Sequence, residues 1–385
     1  MCYQKISGTL VFQCHLFGIV VLFLSQAPAC HLTGSPPQEG GFFFARMPPH
    51  NSYRPTRPTR QAFTKGPIEF TAQLQKLKDR SLLVPDEARA LRYLANISYY
   101  RLSGYWAAYL DTRTGQFRLN TTFDDIINLY RFDKKLRLMC LEAMERLEIA
   151  FRTQIIYHFT HATGDNNWYE QFAYFKQGTQ IQAGSRTTEL EDSNRLIDTI
   201  LGTPARRNSG ELERAKGKAF IADYHRYYHT PVNPPAWMAL EVLSFGTLFN
   251  QFRLFADVGA KIKVAKHFKL YLPVLEAWMQ SLNVVRNKCA HHDRFWDLSM
   301  LPILANQGDR TGLWLRQPSA LRSNTKVYYV LSVLHFLLVQ ISPAASLCDK
   351  IFKLMNDHGI LADPILMQSM GFPTDWQRET MWTQI

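Results

Sequence analysis

One long run of spaced apolar residues constrains the fold of this chain more than any other feature. From Ile126 to Phe151, apolar side chains recur mostly at steps of three and four residues, which is the periodicity of an α-helix. The members of the run are Ile126, Leu129, Phe132, Leu136, Met139, Met144, Leu147 and Phe151. Thr122, followed by Asp124 and Asp125, supplies an N-cap and early acidic residues. The sequence therefore predicts one helix of about 35 residues that begins near Thr122.

The remaining patterns are also helical. Further helices are predicted at about 70–80, 86–94, 188–200, 239–252, 327–340 and 347–356, and one that starts at 270–273 and runs into residues 286–296. Alternation of apolar and polar residues with a period of two is almost absent, so the predicted fold class is all-α. On the polar side of the long run, Glu145, Glu148 and Arg152 are interpreted as solvent-facing ion pairs.

Composition divides the chain into four predicted segments. Residues 1–30 form a hydrophobic, signal-like segment or an extension upstream of the true start. Residues 31–67 are rich in Pro and Arg and are expected to form a disordered linker, or arm. Residues 68–310 form the helical domain, with weak patterns at 164–235 that suggest an insertion, and residues 311–385 form a C-terminal helical extension.

The first segment leaves two interpretations open. Lys5, the apolar run 16–24 and the small residues up to Ala29 resemble a secretory signal, and the run is too short for a transmembrane helix. The alternative is that Met47 opens the mature protein. We favour the second interpretation, because everything downstream looks like a nucleic-acid enzyme of the cytoplasm, and we expect no stable membrane association.

Charge and cysteine content fit that location. Lys and Arg outnumber Asp and Glu by 44 to 32, which gives a formal net charge of +12 and favours an anionic partner such as nucleic acid. After residue 30 the cysteines are Cys140, Cys289 and Cys348, with no CxxC pair. Isolated cysteines in apolar helical patterns are typical of buried thiols in a reduced, intracellular protein.

Residues 286–296 combine an arginine, an amide and two histidines in a helical pattern. At about 100° per residue, Asn287, His291 and Arg294 share one polar face, with Arg286 at its edge. These residue types can hold a phosphodiester and move its protons. The structural alternative is a C-terminal helix turn, where cations are favoured by the helix dipole.

The same projection separates the two histidines. The apolar face carries Leu282, Val285, Cys289 and Trp296. His292 lies at the edge of this face and is expected to be a hydrogen-bonded core residue, so we favour His291 as the chemical group.

Other chemistries find little support in the sequence. There is no GxxxxGK loop, no GxSxG and no HExxH motif. His158 with His161, and His225 with His229, have spacings that a metal could use, but no further ligands accompany them. We therefore expect neither a metal site nor a cofactor.

Five ordered blocks resemble a known family. They are ISYYRLSGYW at 97–106, TFDDI at 122–126, ERLE at 145–148 with Arg152, WM at 237–238 with EVLSFG at 241–246, and RN at 286–287 with HH at 291–292. Together they resemble the Abi family of phage abortive-infection proteins, of the AbiD/AbiF-like type, over about residues 70–300. That family is similar to HEPN-domain proteins, which are helical bundles.

The resemblance implies a function. In HEPN proteins an Arg-x4-6-His motif forms a metal-independent ribonuclease site, which a second copy usually completes. Carried onto this sequence, it implies that Arg286 and His291 act on RNA with Asn287 in support, and that the chain forms a homodimer. A toxic ribonuclease also needs restraint, so we expect a repressing RNA or protein partner.

The chemistry implied is attack by the ribose 2′-hydroxyl on the adjacent phosphate, which restricts cleavage to RNA. His291 can act as general acid or base near neutral pH, and Arg286 can stabilise charge on the phosphate oxygens. Arg294, Arg101 and Tyr100 are predicted to bind RNA by charge and stacking. Two alternatives remain: a non-catalytic RNA-binding defence protein, and an exported or membrane-tethered interaction protein.

Overall fold

The computed structural model describes residues 2–6, 9–16, 19–25, 62, 66–177, 189–203, 209–301, 303, 314–316 and 318–383. The chain divides into two compact units, Met1–Ile68 with Ile181–Arg186 and Glu69–Gln180 with Thr187–Ile385. The predicted disordered arm at 31–67 falls almost wholly outside the described residues.

The first unit contains a three-stranded antiparallel sheet, in the order β1-β2-β3. The strands are β1 Cys2–Ile6, β2 Thr9–Leu16 and β3 Ile19–Ser25. Phe12 at the centre pairs with Tyr3 on one side and Phe23 on the other. Valine, isoleucine and aromatic residues, which favour strands, are frequent in this segment.

The second unit is helical, and the predicted all-α class is confirmed. Its helices are α1 Phe70–Lys78, α2 Glu87–Ile97, α3 Tyr99–Trp106, α4 Phe123–Thr163, α5 Glu189–Leu201, α6 Glu211–Arg214, α7 Ala219–Tyr227, α8 Ala236–Ala239, α9 Phe245–Leu254, α10 Val258–His267, α11 Leu272–Ala290, α12 Pro318–Arg322, α13 Val327–Ile341, α14 Leu347–Asp357, α15 Pro364–Met370 and α16 Thr380–Thr383. From residue 66 onward, the described residues form only isolated β-bridges and no strand.

Helix α4 is the central element of this unit and the long helix that the sequence predicts. Its 41 residues begin with a capping box, in which Thr122 and Asp125 each bind the other's backbone N–H, and end at Gly164 in the left-handed conformation. Its apolar face is buried against α10, α11, α13 and α14. The helix therefore organises the core and carries the candidate site on one side.

Most of the other predicted helices are confirmed to within a few residues, including α1, α2, α13 and α14. The single helix predicted at 239–252 is divided. Leu240–Val242 forms a short 3-10 helix, Leu243 is extended, and the Ser244 hydroxyl then caps α9 by accepting the N–H of Thr247. A capping serine can thus end one helix pattern and start another.

Helix α13 is the most apolar helix of the C-terminal extension and packs against α4. Eleven of its fifteen residues are buried, and Trp382 of α16 donates its indole N–H to Ser332 at 3.2 Å. Among the described residues, no helix has both the length and the apolar character needed to cross a bilayer.

Candidate functional site

Helix α11 carries Arg286 and Asn287. Pro273 stands in its first turn, where a missing N–H is harmless. The predicted apolar face is buried: Leu275, Trp278, Leu282, Val285 and Cys289. The thiol of Cys289 contacts Cys140 of α4 by a hydrogen bond, which together with burial raises the pKa of the Cys140 thiol. Cys140, Cys289 and Cys348 are free and buried.

The helix ends at Ala290, and this corrects the expectation for His292. The N–H of Asp293 binds the carbonyl of Lys288 at 2.9 Å, and the N–H of His292 binds that of Cys289 at 3.2 Å. This is a Schellman motif with His292 in the left-handed position at φ 61°. The helical projection does not continue past this residue, so His292 is exposed rather than buried in the core.

Arg286 lines an open groove between α4 and α11. The cavity measures about 420 Å³. Its walls are Leu141, Met144, Glu145, Glu148, Ile149 and Arg152 of α4, Glu241, and Arg286 and Ala290 of α11. Ala290 is one helical turn beyond Arg286 on the same side, and His291 follows it directly. The groove therefore reaches the end of α11 where the candidate histidine stands.

The charges in this groove are organised around Arg152. Contrary to the solvent-facing interpretation, Arg152 is buried, and it binds Glu148 at 2.8 Å and lies 3.8 Å from Glu241. Its guanidinium also donates to the carbonyl of Leu243 at 3.1 Å. Among the described residues the side chain of Arg286 has no hydrogen-bond or ion-pair partner. It is the cation left available in the groove.

Asn287 and His291 are exposed at the same end of the helix. On an ideal helix they lie about 100° and 140° from Arg286, so they face solvent beside the groove rather than its floor. Neither side chain has a partner among the described residues. The end of α11 therefore carries three polar groups without a partner among the described residues: the guanidinium of Arg286, the amide of Asn287 and the imidazole of His291.

Helix α3 holds the turn that follows α11. The Arg101 guanidinium donates to the carbonyl of His292, and Arg294 donates to the carbonyl of Gly104 at 2.6 Å. Arg294 also binds Asp297 at 2.7 Å. A Cβ on residue 104 would stand 2.5 Å from the Arg294 guanidinium, so an alanine there would displace the end of the Arg294 side chain. The two predicted RNA-binding arginines therefore lie beside His291 and His292, and both also position the turn.

Helix α4 holds the same turn from inside. The buried carboxylate of Asp133 accepts the backbone N–H groups of Phe295 at 3.1 Å and Trp296 at 2.7 Å, and it contacts Arg137 and the hydroxyl of Tyr105. Arg137 in turn donates to the carbonyl of Asp293 at 3.2 Å. We call Tyr105, Asp133 and Arg137 the ionic anchor.

Burial raises the pKa of the Asp133 carboxyl, and the Arg137 guanidinium and the donated hydrogen bonds oppose that rise. Sequence reasoning missed this anchor. The signal that could have revealed it is a pair of opposite charges four residues apart within the apolar face of α4.

The aromatic block at 99–106 is mainly core. Tyr105 and Trp106 are buried, and Tyr99 packs edge-on against Trp106 with ring centroids 4.7 Å apart. Tyr100 is the exception, with 88% of its surface exposed next to Arg101. It is therefore accessible to a ligand near the end of α11.

The paired histidines show no metal geometry. His161 contacts the carbonyl of Tyr157 at 2.7 Å through its Nδ1 atom, and its ring packs on Tyr157. In the part of the chain that the structure describes, no three His, Cys, Asp or Glu side chains converge as metal ligands would.

Comparison with protein families gives one match. The model of a family described as Abi-like protein matches residues 92–297, which is more than half of the chain. The matched region runs from α2 to the turn after α11 and includes the groove, the ionic anchor and the end of α11. No curated protein and no solved structure matches the chain significantly.

Proposed function

The chain belongs to the family of Abi-like proteins, and from this membership and the geometry at the end of α11 we propose that it is a metal-independent endoribonuclease of phage abortive infection. The family suggests the abortive-infection role. The AbiD/AbiF-like type rests on the resemblance of the five sequence blocks, and the HEPN-type activity rests on the resemblance of the Arg286 to His291 spacing. One observation carries the proposal. Arg286 lies in an open groove without a hydrogen-bond or ion-pair partner among the described residues, and the exposed His291 stands next to it on a turn that the ionic anchor holds.

The cleavage step follows from these groups. The 2′-hydroxyl of the ribose attacks the adjacent phosphorus, the P–O5′ bond breaks, and the products are a 2′,3′-cyclic phosphate and a 5′-hydroxyl. His291 either accepts the 2′-hydroxyl proton, while the leaving O5′ oxygen takes a proton from water, or donates a proton to that oxygen, while water accepts the proton of the 2′-hydroxyl. Arg286 stabilises the charge on the non-bridging oxygens, and Asn287 binds the phosphate as a neutral donor.

A homodimer completes the site in this proposal. Arg286 lines the groove while His291 faces outward, so a second copy packed on this face can supply an imidazole to the groove. Leu138 and Ile149 are exposed on one side of α4, eleven residues apart, and Val284 is exposed on α11. Ile149 lines the groove and Val284 lies on the side of α11 that carries His291. Exposed apolar side chains near both groups favour a protein contact over bulk solvent.

The remaining partners and the location are also proposals. Tyr100, Arg101 and Arg294 would contact RNA beside the cleavage site, since they surround the turn after α11. A repressing RNA or protein would hold the enzyme silent until infection. A cytoplasmic location follows from an RNA substrate, and fractionation of cells that express the full chain tests it.

The test compares the wild type with Arg286→Ala and His291→Ala on a labelled single-stranded RNA in the presence of EDTA. We expect cleavage by the wild type, fragments that end in a 2′,3′-cyclic phosphate, and at least a hundredfold loss in each variant. Exposed His161 on α4 provides the matched control, and His161→Ala should cleave normally. A substrate with a 2′-deoxy residue at the scissile position should stay intact. Full cleavage by both site variants would place the chemistry elsewhere.

A second candidate function is RNA binding without cleavage. The observation that favours it over cleavage is the acidic lining of the groove, because Glu145, Glu148 and Glu241 repel a phosphate there. Tyr100 and Arg101, which lie outside the groove, could still bind RNA. In that case the wild type would leave RNA intact and His291→Ala would retain RNA affinity. The same cleavage experiment therefore separates the two candidates.

A further inference from the structure

An exposed aromatic surface lies on α7, α8 and the loop that joins them. Tyr227 and Tyr228 are 71% and 59% exposed, and Phe220 and Trp237 are exposed as well. We call these four residues the aromatic surface. Helices α7 and α8 are in contact. Large aromatic side chains that cluster on a surface mark a binding site more often than single exposed ones do.

The helix geometry aligns part of this surface. Phe220 and Tyr227 are seven residues apart and share one side of α7, next to the buried side formed by Ile221 and Tyr224. The ring of Tyr228 packs on Tyr224 with centroids 5.3 Å apart, so its other face is free to solvent. The ring of Tyr228 therefore has one face packed on Tyr224 and the other face exposed to solvent.

Buried side chains fix the loop that follows. The hydroxyl of Tyr224 donates to the carbonyl of Pro231, and that of Tyr169 donates to the carbonyl of Pro234, both at 2.7 Å. Asn167 donates to the carbonyl of Asn233 at 2.9 Å. A loop held at its backbone loses little entropy when a ligand binds, which favours recognition by its exposed side chains.

The segment that carries α7 is basic. Residues 214–229 contain four cations and one acidic residue, with His225 and His229 in addition. The cations are Arg214, Lys216, Lys218 and Arg226, all exposed. Lys216 pairs with Glu213 and Arg226 with Asp223, but such exposed pairs are weak and exchange readily for a phosphate. Aromatic faces interleaved with cations match single-stranded nucleic acid.

The aromatic surface also leads to the groove of Arg286. Trp237 on α8 precedes Glu241 by four residues, and Glu241 lines that groove. Four residues along a helical segment correspond to one turn, or about 6 Å. A polynucleotide that occupies the groove can therefore continue over Trp237.

We propose that the aromatic surface binds single-stranded RNA, with bases stacked on Tyr227, Tyr228 and Trp237 and the phosphates near the cations of residues 214–229. The inference rests on the proposed function for the identity of the ligand as RNA. Stacking requires unpaired bases, so the surface selects single strands over duplexes and tolerates many sequences. In this proposal, residues 219–237 bind the part of the RNA substrate that lies outside the cleavage groove.

The test measures fluorescence anisotropy of a labelled twelve-nucleotide single-stranded RNA with the full chain carrying His291→Ala, so that no cleavage interferes. Adding Tyr227→Ala and Tyr228→Ala together should weaken binding about tenfold or more. The corresponding Phe substitutions should retain binding, since stacking does not need the hydroxyl. Tyr157, an exposed tyrosine of α4, provides the matched control as Tyr157→Ala. Circular dichroism and urea unfolding check the fold, and the single Tyr227→Ala variant repeats the measurement with the smaller change.

Three results would overturn the inference: an unchanged affinity for single-stranded RNA, an equal loss of affinity for duplex RNA, or a change in oligomeric state with RNA affinity intact. The last result would assign the surface to a second copy of the chain. Because binding is read without cleavage, this inference and the proposed function fail separately. If the wild type leaves RNA intact but RNA binding depends on Tyr227 and Tyr228, the nuclease proposal is contradicted and the proposal of RNA binding by the aromatic surface is supported.

Discussion

The carboxylate of Asp133, in the N-terminal third of α4, accepts the backbone N–H of Trp296, which lies 163 positions later in the chain, at 2.7 Å. Through this bond and the contacts of Arg137, the turn that carries His291 to Arg294 is attached to the core helix. The turn is therefore a rigid part of the helical unit, although every one of its residues from His291 to Arg294 is exposed.

Replacing Asp133 should destabilise the protein severely. Asp133→Asn removes the charge that compensates buried Arg137 and weakens the two backbone contacts. Breaking one partner of a buried ion pair typically costs about 3–5 kcal/mol in the free energy of unfolding. Urea denaturation of the purified variant measures this loss.

The matched control for this prediction is Glu87→Gln, which breaks the exposed pair with Lys78. An exposed pair contributes only about 0–1 kcal/mol, so this variant should unfold near the wild-type urea concentration. Equal losses in both variants would show that the ionic anchor is no more important than a surface pair.

Adding one methyl group to α3 should impair the candidate site while the fold is kept. Gly104→Ala places a Cβ 2.5 Å from the Arg294 guanidinium, which must then leave the carbonyl of residue 104. A displacement of about 1 Å near a catalytic group can cost up to about 100-fold in rate. We expect slower RNA cleavage with a nearly unchanged melting temperature.

Gly66 serves as the control, because a Cβ there meets no atom within 4 Å. Gly66→Ala should leave cleavage and melting unchanged. If Gly104→Ala also cleaves at the wild-type rate, the Arg294 contact has no part in positioning the turn.

The sequence alone predicts much of the helical framework. The spacing from Ile126 to Phe151 predicts α4, and the burial of Leu282, Val285 and Cys289 follows from the same periodicity. Such patterns are reliable because a helix has a fixed rotation per residue, so the apolar side is visible in one dimension. The resemblance to the family can likewise be recognised without a structure, from the five ordered sequence blocks.

The details at the end of α11 are not predictable in this way. Periodicity assumes that the helix continues, but His292 adopts a left-handed conformation that ends it, and such a conformation is uncommon for residues other than glycine. The contacts of Asp133 and Arg101 with the turn join residues more than 150 positions apart. No local pattern encodes such contacts, so the exposure of His292 and the rigidity of the turn required the structure.

The proposed homodimer predicts a specific effect of charge on α4. Ile149 is exposed in the wall of the groove, so Ile149→Arg would replace an apolar contact of the interface with a bulky charged side chain. We expect self-association to weaken at least about tenfold, as measured by sedimentation velocity over a range of concentrations. RNA cleavage should fall in parallel if the second copy completes the site.

Leu119 is still more exposed and lies outside the groove, so Leu119→Arg is the matched control and should associate normally. A wild-type chain that stays monomeric at every concentration at which it cleaves RNA would contradict the dimer. A dimer that persists unchanged in Ile149→Arg would move the interface to another face.

Mild acidification should destabilise the fold. Burial lowers the pKa of His158, with Lys263 as a further cause, and burial lowers that of His267, with Lys269 as a further cause. The unfolded chain therefore takes up protons near the ordinary value of 6.5, while the folded histidines take them up only at lower pH. The free energy of unfolding should fall as the pH drops below about 6.5, and the loss should level off below the folded-state pKa.

His158→Gln combined with His267→Gln should reduce the difference in urea midpoint between about pH 7.5 and 5.5, whereas exposed His229→Gln should not. Comparing variants at the same two pH values cancels the contribution of the carboxylates, so an unchanged difference would mean that these two histidines are not linked to folding.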